Sequence, residues 1–158
     1  MNVGSIITFG DYQWKILDIK ENRMLIISDQ IIEQRDYHDK KESITWGQSE
    51  IRSYLNNSFL ERFSASDKEK ILTTHNINAD NPWYGSIGGA DTSDRVFLLS
   101  LDEIVRLYFG DSSRLLDNPK QNQRYWFDRK DENNIKRTAL FMDSHWWWWT
   151  RTPGKNNK

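Results

Sequence analysis

The 158-residue chain contains no cysteine. Thiol catalysis, disulfide staples and cysteine-zinc sites are therefore excluded, while the redox compartment stays open because a cysteine-free domain suits either. An excess charge of one sign is missing too. Lys plus Arg come to 22 against 23 Asp plus Glu, a formal charge of −1, which offers no global attraction to nucleic acid or to acidic membranes. Long apolar runs are absent as well, since a stretch such as VFLL at 96–99 falls far short of the ~18 residues of a membrane span. The opening MNVGSIITFG lacks the basic n-region and the apolar h-region of about 7–15 residues that a secretory signal needs. The chain reads as cytoplasmic, or as surface-bound or secreted if it is part of a longer native protein. No internal repeat, collagen-like run or coiled-coil heptad is visible.

What is present fits one domain over residues 1–158, a length at which folding hides roughly 70% of the unfolded chain's surface. Residues 5–9 and 12–19, with Trp14 and Ile16 on alternate positions, read as strands, and 24–28 follows after the polar turn KENR, which predicts an N-terminal antiparallel hairpin. Residues 33–43 are polar and aperiodic and read as a solvent loop. Three Ser/Thr-x-x-Glu/Gln boxes mark helix starts at Thr45–Gln48, Ser66–Glu69 and Ser100–Glu103, because hydroxyl and carboxylate or amide each satisfy an orphan amide of the first turn. The first helix carries Ile51, Tyr54, Leu55 and Phe59 at helical spacing; the second is short, running through Ile71 and Leu72; the third runs to Gly110, which suits the left-handed position past a helix end. Residues 76–94 concentrate Gly, Pro, Asn and Asp and are expected to cross the surface as turns without joining a sheet. An apolar strand is expected over 95–100. Residues 111–134 are polar, broken by Tyr125, Trp126 and Phe127, before a strand-like finish from His145.

Residues able to carry chemistry are sparse. His38, His75 and His145 lie far apart, and none has the spacing that puts two imidazoles on one helical face around zinc. No nucleophile elbow, dinucleotide fingerprint or P-loop occurs, and the glycines of Gly85-Ser-Ile-Gly-Gly89 are not followed by a lysine-bearing helix start. The 76–94 loop offers carboxylates and amides to a cation, with Asp80, Asp91 and Asp94 as the weak calcium candidates beside Asn78 and Asn81. Asn and Asp also populate ordinary turns by bonding their own backbone, and the spacing matches no EF-hand.

Half of the eight tryptophans stand together in HWWWWTRTPG, residues 145–154. As a strand this run sends His145, Trp147, Trp149 and Arg151 to one face and Trp146, Trp148 and Thr150 to the other. Large rings on both faces suit a central strand buried on both sides. They suit equally a ligand or protein platform, where aromatic faces stack and Arg151 and His145 add polar handles, or a self-association face.

The stretch NPWYGSIGGADTSDRVFLLSLDEI, with WKILDI near the start, W-x-x-x-x-I-R-S-Y-L-N-N-S-F from Trp46 and the closing WWWWTRTPG, resembles an uncharacterised bacterial domain common in Firmicutes whose last signature usually reads W-W-L-R-S-P-G. Thr150 and Thr152 replace its Leu and Ser, keeping the frame Trp149, Arg151, Pro153 and Gly154. That family has no established activity and is similar to the C-type-lectin-like fold of formylglycine-generating enzymes and lectin-like modules. The copper-binding cysteines of those enzymes and the Glu-Pro-Asn or Trp-Asn-Asp motifs of calcium lectins are missing here. Members of the family usually continue past the closing glycine to a final strand, so the resemblance implies either a chain truncated at its C-terminus or a neighbouring copy that completes the sheet at an open strand edge, giving a homo-oligomer.

The expectation is an α+β, C-type-lectin-like mixed domain of antiparallel strands and two to three short helices, without enzymatic activity or cofactor. It would act as a binding or interaction module for a glycan or protein partner, not for nucleic acid, with Trp83, Tyr84, Trp147, Trp149 and Arg151 as the ligand surface. The rival readings are a structural assembly subunit and an enzyme that uses scattered carboxylates such as Asp91 and Asp94 as acid and base.

Overall fold

A computed structural model describes residues 1–116 and 131–155; the aromatic break at Tyr125, Trp126 and Phe127 lies outside them. Among these residues the architecture is mixed α+β, three small antiparallel sheets and three short helices. The N-terminal sheet is β1 (Ile6–Phe9), β2 (Tyr12–Lys20) and β3 (Arg23–Ser28) in sequential order. Phe9 pairs with Tyr12 and Lys20 with Arg23, so each connection has two residues, a loop length that selects left-handed turn types matching the strand twist. Gly10 supplies the positive φ in the first turn and Glu21 in the second. The alternation expected along β2 breaks at Leu17, where the register shifts between Ile16 and Asp18. This bulge lets the consecutive Ile16 and Leu17 both be buried.

The first helix, α1 (Glu50–Asn56), is capped by Ser49, whose Oγ accepts from the Arg52 amide at 3.3 Å. The expected cap, Thr45, instead precedes a 3-10 turn at Trp46–Gln48, because the buried Trp46 is held by a distant carboxylate described below. The second helix, α2 (Ala65–Lys70), by contrast starts two residues earlier than its sequence box: Ser64 Oγ accepts from the Asp67 amide at 3.1 Å, and Ile71 already lies past the end. The third box is formed as read. The Ser100 amide donates to Glu103 Oε2 at 2.7 Å, and the Glu103 amide to Ser100 Oγ at 3.2 Å. It opens α3, π-helical over Glu103–Tyr108, before Gly110 at φ 89°.

Three other expectations are corrected. Residues 95–100 form no strand, since the carbonyls of Leu98 and Leu99 are taken by the side chain and amide of Arg151. The ends of the 76–94 loop do join a ladder, β4 (Thr74–Asn76) pairing antiparallel with β5 (Thr92–Asp94). The closing strand is short: β7 (Ser144–Trp146) pairs with β6 (Ala139–Phe141), and the chain leaves the ladder at Trp147. The tip of that hairpin holds Met142 and Asp143 at φ 47° and 61°, a strained choice for non-glycine residues.

Two apolar clusters flank α3. Leu101 and Val105 join Trp83, Leu115 and Leu116 on one side, while Ile104 and Phe109 join Leu17 and Leu99 on the other, with Trp148 packed against the second group. No helix among the described residues is long and apolar enough to cross a membrane.

Asp94 closes the centre of the molecule. Its side chain is fully buried and accepts from Trp46 Nε1 at 3.0 Å, Arg52 Nε at 2.6 Å, Asn76 Nδ2 at 2.9 Å and Thr92 Oγ1 at 2.7 Å. Burial by itself pushes this carboxyl up, but the bonds from Trp46, Thr92, Asn76 and Arg52 together hold it below the ordinary carboxylate value. A depressed native pKa stabilises the fold above the unfolded value of about 3.9, and that contribution is lost as pH falls through the native value. Asp94→Asn removes the charge and replaces one acceptor oxygen by an NH2 that faces either Arg52 or the Trp46, Asn76 and Thr92 donors, so about 3–5 kcal/mol of stability should go, with a shallower acid limb below about pH 4. Urea unfolding of both proteins between about pH 3 and 7 checks this; superimposable curves would show that the network contributes nothing.

Candidate functional site

The five residues expected to form a ligand surface divide into two groups. Trp83 is 4% exposed within the first apolar cluster and donates from Nε1 to the Leu115 carbonyl at 2.8 Å; Tyr84 is half-buried against the same cluster. Arg151 is equally buried, its guanidinium in a two-pronged pair with Glu103 at 2.6 and 3.0 Å and bonded to the Leu98 carbonyl at 2.9 Å. Trp83 and Arg151 are thus internal supports and not polar or aromatic handles for a ligand. The loop composition around Trp83 and the strand-like run holding Arg151 do not show this, because the residues that bond them, Leu115 for Trp83 and Leu98 and Glu103 for Arg151, are distant in the chain.

Trp147 and Trp149 are on the surface, 65% and 39% exposed. Their rings meet edge to face at 5.0 Å. The run does not alternate as a buried strand does: Trp146 is 42% exposed, and of the four only Trp148 turns inward, packing on Phe109 at 6.3 Å and donating from Nε1 to the Arg137 carbonyl at 2.7 Å. Trp149 is fixed from below, where its Nε1 donates to the Arg35 carbonyl at 2.9 Å and its ring meets the edge of Tyr37 at 5.7 Å. Burial pushes the Tyr37 phenol up to about 12, against a smaller lowering from the Ser49 hydroxyl. The Arg35 guanidinium lies 3.7 Å over the Tyr54 ring. The result is an aromatic ridge of Trp146, Trp147 and Trp149, braced at Trp149 by residues 35–37 and bordering an open groove that Arg35, Asp36, Asp39 and Glu50 also line.

The 33–43 stretch has the polar, aperiodic composition of a solvent loop, and nothing in its own spacing marks Arg35 or Tyr37 as the support of this ridge. The bond that joins them spans 114 residues. An aromatic residue inside an otherwise polar loop was the one available sign.

The calcium candidates bond their own loop. Asp80 accepts from the Gly88 amide at 2.9 Å, Asp91 from the Asn78 amide at 3.0 Å, and Asp94 belongs to the buried network. Gly88 sits so close that an added Cβ would lie 2.0 Å from the Asn78 carbonyl oxygen, which is the packing reason for a glycine there. These acids form no convergent donor group among the described residues; the group that does is His38, Asp39 and Glu50. The four donors on Asp94 also occupy the lone pairs that acid–base chemistry would need. His75 lies 3.5 Å from Asp91, and His145 Nδ1 is 2.6 Å from Thr138 Oγ1, apart from His38.

The closing signature is a set of sutures. The Arg151 amide donates to the Leu99 carbonyl at 3.1 Å, the Leu101 amide to Thr152 Oγ1 at 2.9 Å, Asn81 Nδ2 to the Pro153 carbonyl at 2.8 Å, and Ser86 Oγ to the Gly154 carbonyl at 2.6 Å. These geometries define a small α+β domain that presents a fixed aromatic ridge. The chain belongs to the family described as Domain of unknown function (DUF6273), which matches residues 21–158 and so includes β3 and everything after it. No curated protein and no solved structure matches the chain.

The contrast between inner and outer tryptophans is measurable. Trp83→Ala should cost about 3–5 kcal/mol, the usual range for a buried ring, whereas Trp147→Ala should stay within about 0.5 kcal/mol. Thermal or urea unfolding of the two variants distinguishes them; equal losses would mean that Trp147 is also core.

Proposed function

We propose that this domain is a non-catalytic binding module that recognises a glycan through the ridge formed by Trp146, Trp147 and Trp149. The observation that carries this reading is the exposure of Trp147 and Trp149 together with the internal bonds that hold Trp149 in place. A large exposed apolar surface on a folded domain marks an interaction site more often than it marks nothing. Rings held by packing and by an indole N–H bond lose little freedom on binding, which favours affinity. Sugar rings present an apolar face of C–H groups to an indole and hydroxyls around the rim. The groove supplies matching partners for those hydroxyls, with the carboxylates of Asp36, Asp39 and Glu50 as acceptors and the Arg35 guanidinium as donor.

The probe is a set of soluble β-1,4-linked oligosaccharides, including N-acetylated ones, titrated against tryptophan fluorescence. Saturable quenching is expected, and Trp147→Ala should weaken it at least ten-fold while the unfolding temperature stays within about 2 °C, as befits an exposed side chain. A flat titration across the set, or a Trp147→Ala protein that binds as well as the wild type, would reject the glycan reading. Self-association of the wild type at micromolar concentration, abolished by the same substitution, would assign the ridge to a protein partner instead.

A further inference from the structure

The three histidines share no helical face in sequence, yet the fold sets one of them beside two carboxylates. His38 and Asp39 follow Tyr37 in the loop, and Glu50 stands in the first turn of α1. One donor atom from each lies within 4.8 Å of the others. We infer that His38, Asp39 and Glu50 bind a divalent transition-metal ion of the zinc class, clamping the 33–43 loop to the start of α1.

The imidazole carries the argument. Its Nε2 lies 3.0 Å from Glu42 Oε1, and since an ionised carboxylate can only accept, the proton of that bond belongs to Nε2. In the neutral ring the lone pair is then on Nδ1. That atom is buried with no hydrogen-bond partner and lies 4.0 Å from Glu50 Oε2, too far for a hydrogen bond. In the neutral ring two acceptors then face each other, Nδ1 and Glu50 Oε2, and a proton or a cation between them reconciles the pair. Ligands of a tetrahedral ion with bonds of about 2.0–2.2 Å stand on the order of 3.4 Å apart, so the pair has only to close by a few tenths of an ångström.

The surroundings are those of a metal site. Glu42 orients the ring as an outer carboxylate does for a metal-bound histidine. Glu50 Oε2 also accepts from the Asp39 amide at 2.9 Å, which fixes its direction. Asp39 Oδ1 lies 3.9 Å from Nε2, the nitrogen turned to Glu42, so Asp39 has to swing toward Nδ1 to join an ion held there with Glu50. The imidazole is 13% exposed, while Asp39 and Glu50 are 60% and 52% exposed, so an ion can enter from solvent and complete its coordination with water. Three oxygen and nitrogen ligands plus water suit zinc and its neighbours better than calcium, which takes six to eight oxygens. The inference does not rest on the glycan reading, although the clamp would brace the loop carrying Arg35 and Tyr37 beneath the ridge.

The test uses the full chain, freed of metal with a chelator, and zinc chloride alone as the probe. Calorimetric titration should show one ion per chain, and zinc at about 100 times its dissociation constant should raise the melting temperature by roughly 5–10 °C. His38→Gln should abolish stoichiometric binding, Glu50→Gln should weaken it at least ten-fold, and Glu42→Gln should weaken it about 10- to 100-fold. His75→Gln should leave it unchanged. Cobalt in place of zinc should show the visible absorption of a low-coordinate, histidine-bound ion, absent from His38→Gln. No stoichiometric binding to the wild type, or binding undiminished in both His38→Gln and Glu50→Gln, would overturn the inference and leave an ordinary cluster of ion pairs. If His38→Gln does not fold, Glu50→Gln and Asp39→Asn, both at exposed positions, decide the question by the same titration.

Discussion

The structure turns on one buried carboxylate. Asp94 gathers a tryptophan from the 3-10 turn before α1, an arginine from α1, an asparagine from β4 and a threonine from β5. A charge taken out of water is costly unless its lone pairs are met, and here four donors from different parts of the chain meet them. The same constraint dictates local structure. Trp46 must reach inward to Asp94, so the backbone tightens into a 3-10 turn and the cap of α1 falls four residues later than Thr45, at Ser49. The pairing of β4 with β5 brings Asn76 and Thr92 opposite each other, which is where their side chains must be to share the carboxylate.

A second ion pair organises the other end of the molecule. Glu103 completes the capping box of α3 by accepting from the Ser100 amide and accepts again from Arg151. One carboxylate therefore starts a helix and holds the C-terminal segment down. The bonds from Leu101, Asn81 and Ser86 to residues 152–154 extend that hold. With the backbone tied on the C-terminal side and β7 paired to β6 on the other, the tryptophans between them have few ways to point. Trp148 fills the core beside Phe109 and its three neighbours are left outside. The ridge is thus a consequence of anchoring on both sides, which also makes it rigid enough to serve as a binding surface.

Much of the local structure was legible. The three strands of the first sheet, the Ser100 capping box and its terminating Gly110 were readable because each depends on neighbours within a few residues: alternation, a reciprocal cap, a positive φ. The boxes at Thr45 and Ser66 failed for an instructive reason. Competing hydroxyls at Ser49 and Ser64 lay close by, and contacts from far along the chain chose between them. The 95–100 stretch had strand composition, but its carbonyls went to an arginine more than fifty residues away. At the candidate site, the run of rings marks Trp147 and Trp149 as needing cover or a partner, and both are exposed, while the burial of Trp83 and Arg151 is invisible because composition cannot say which bulky side chain faces in.

The sequence alone determined the mixed α+β class, the exclusion of thiol chemistry, and the presence of more aromatic surface near one end than a single strand can bury. Those properties follow from composition and short-range periodicity. The tertiary structure decided which tryptophan is core, that Arg151 is a suture, that Asp94 is a buried hub held by four donors, and that His38 meets Glu50. Each of these depends on a pairing between segments remote in the chain, set by which buried charge or amide must find a partner, and no local pattern encodes that choice.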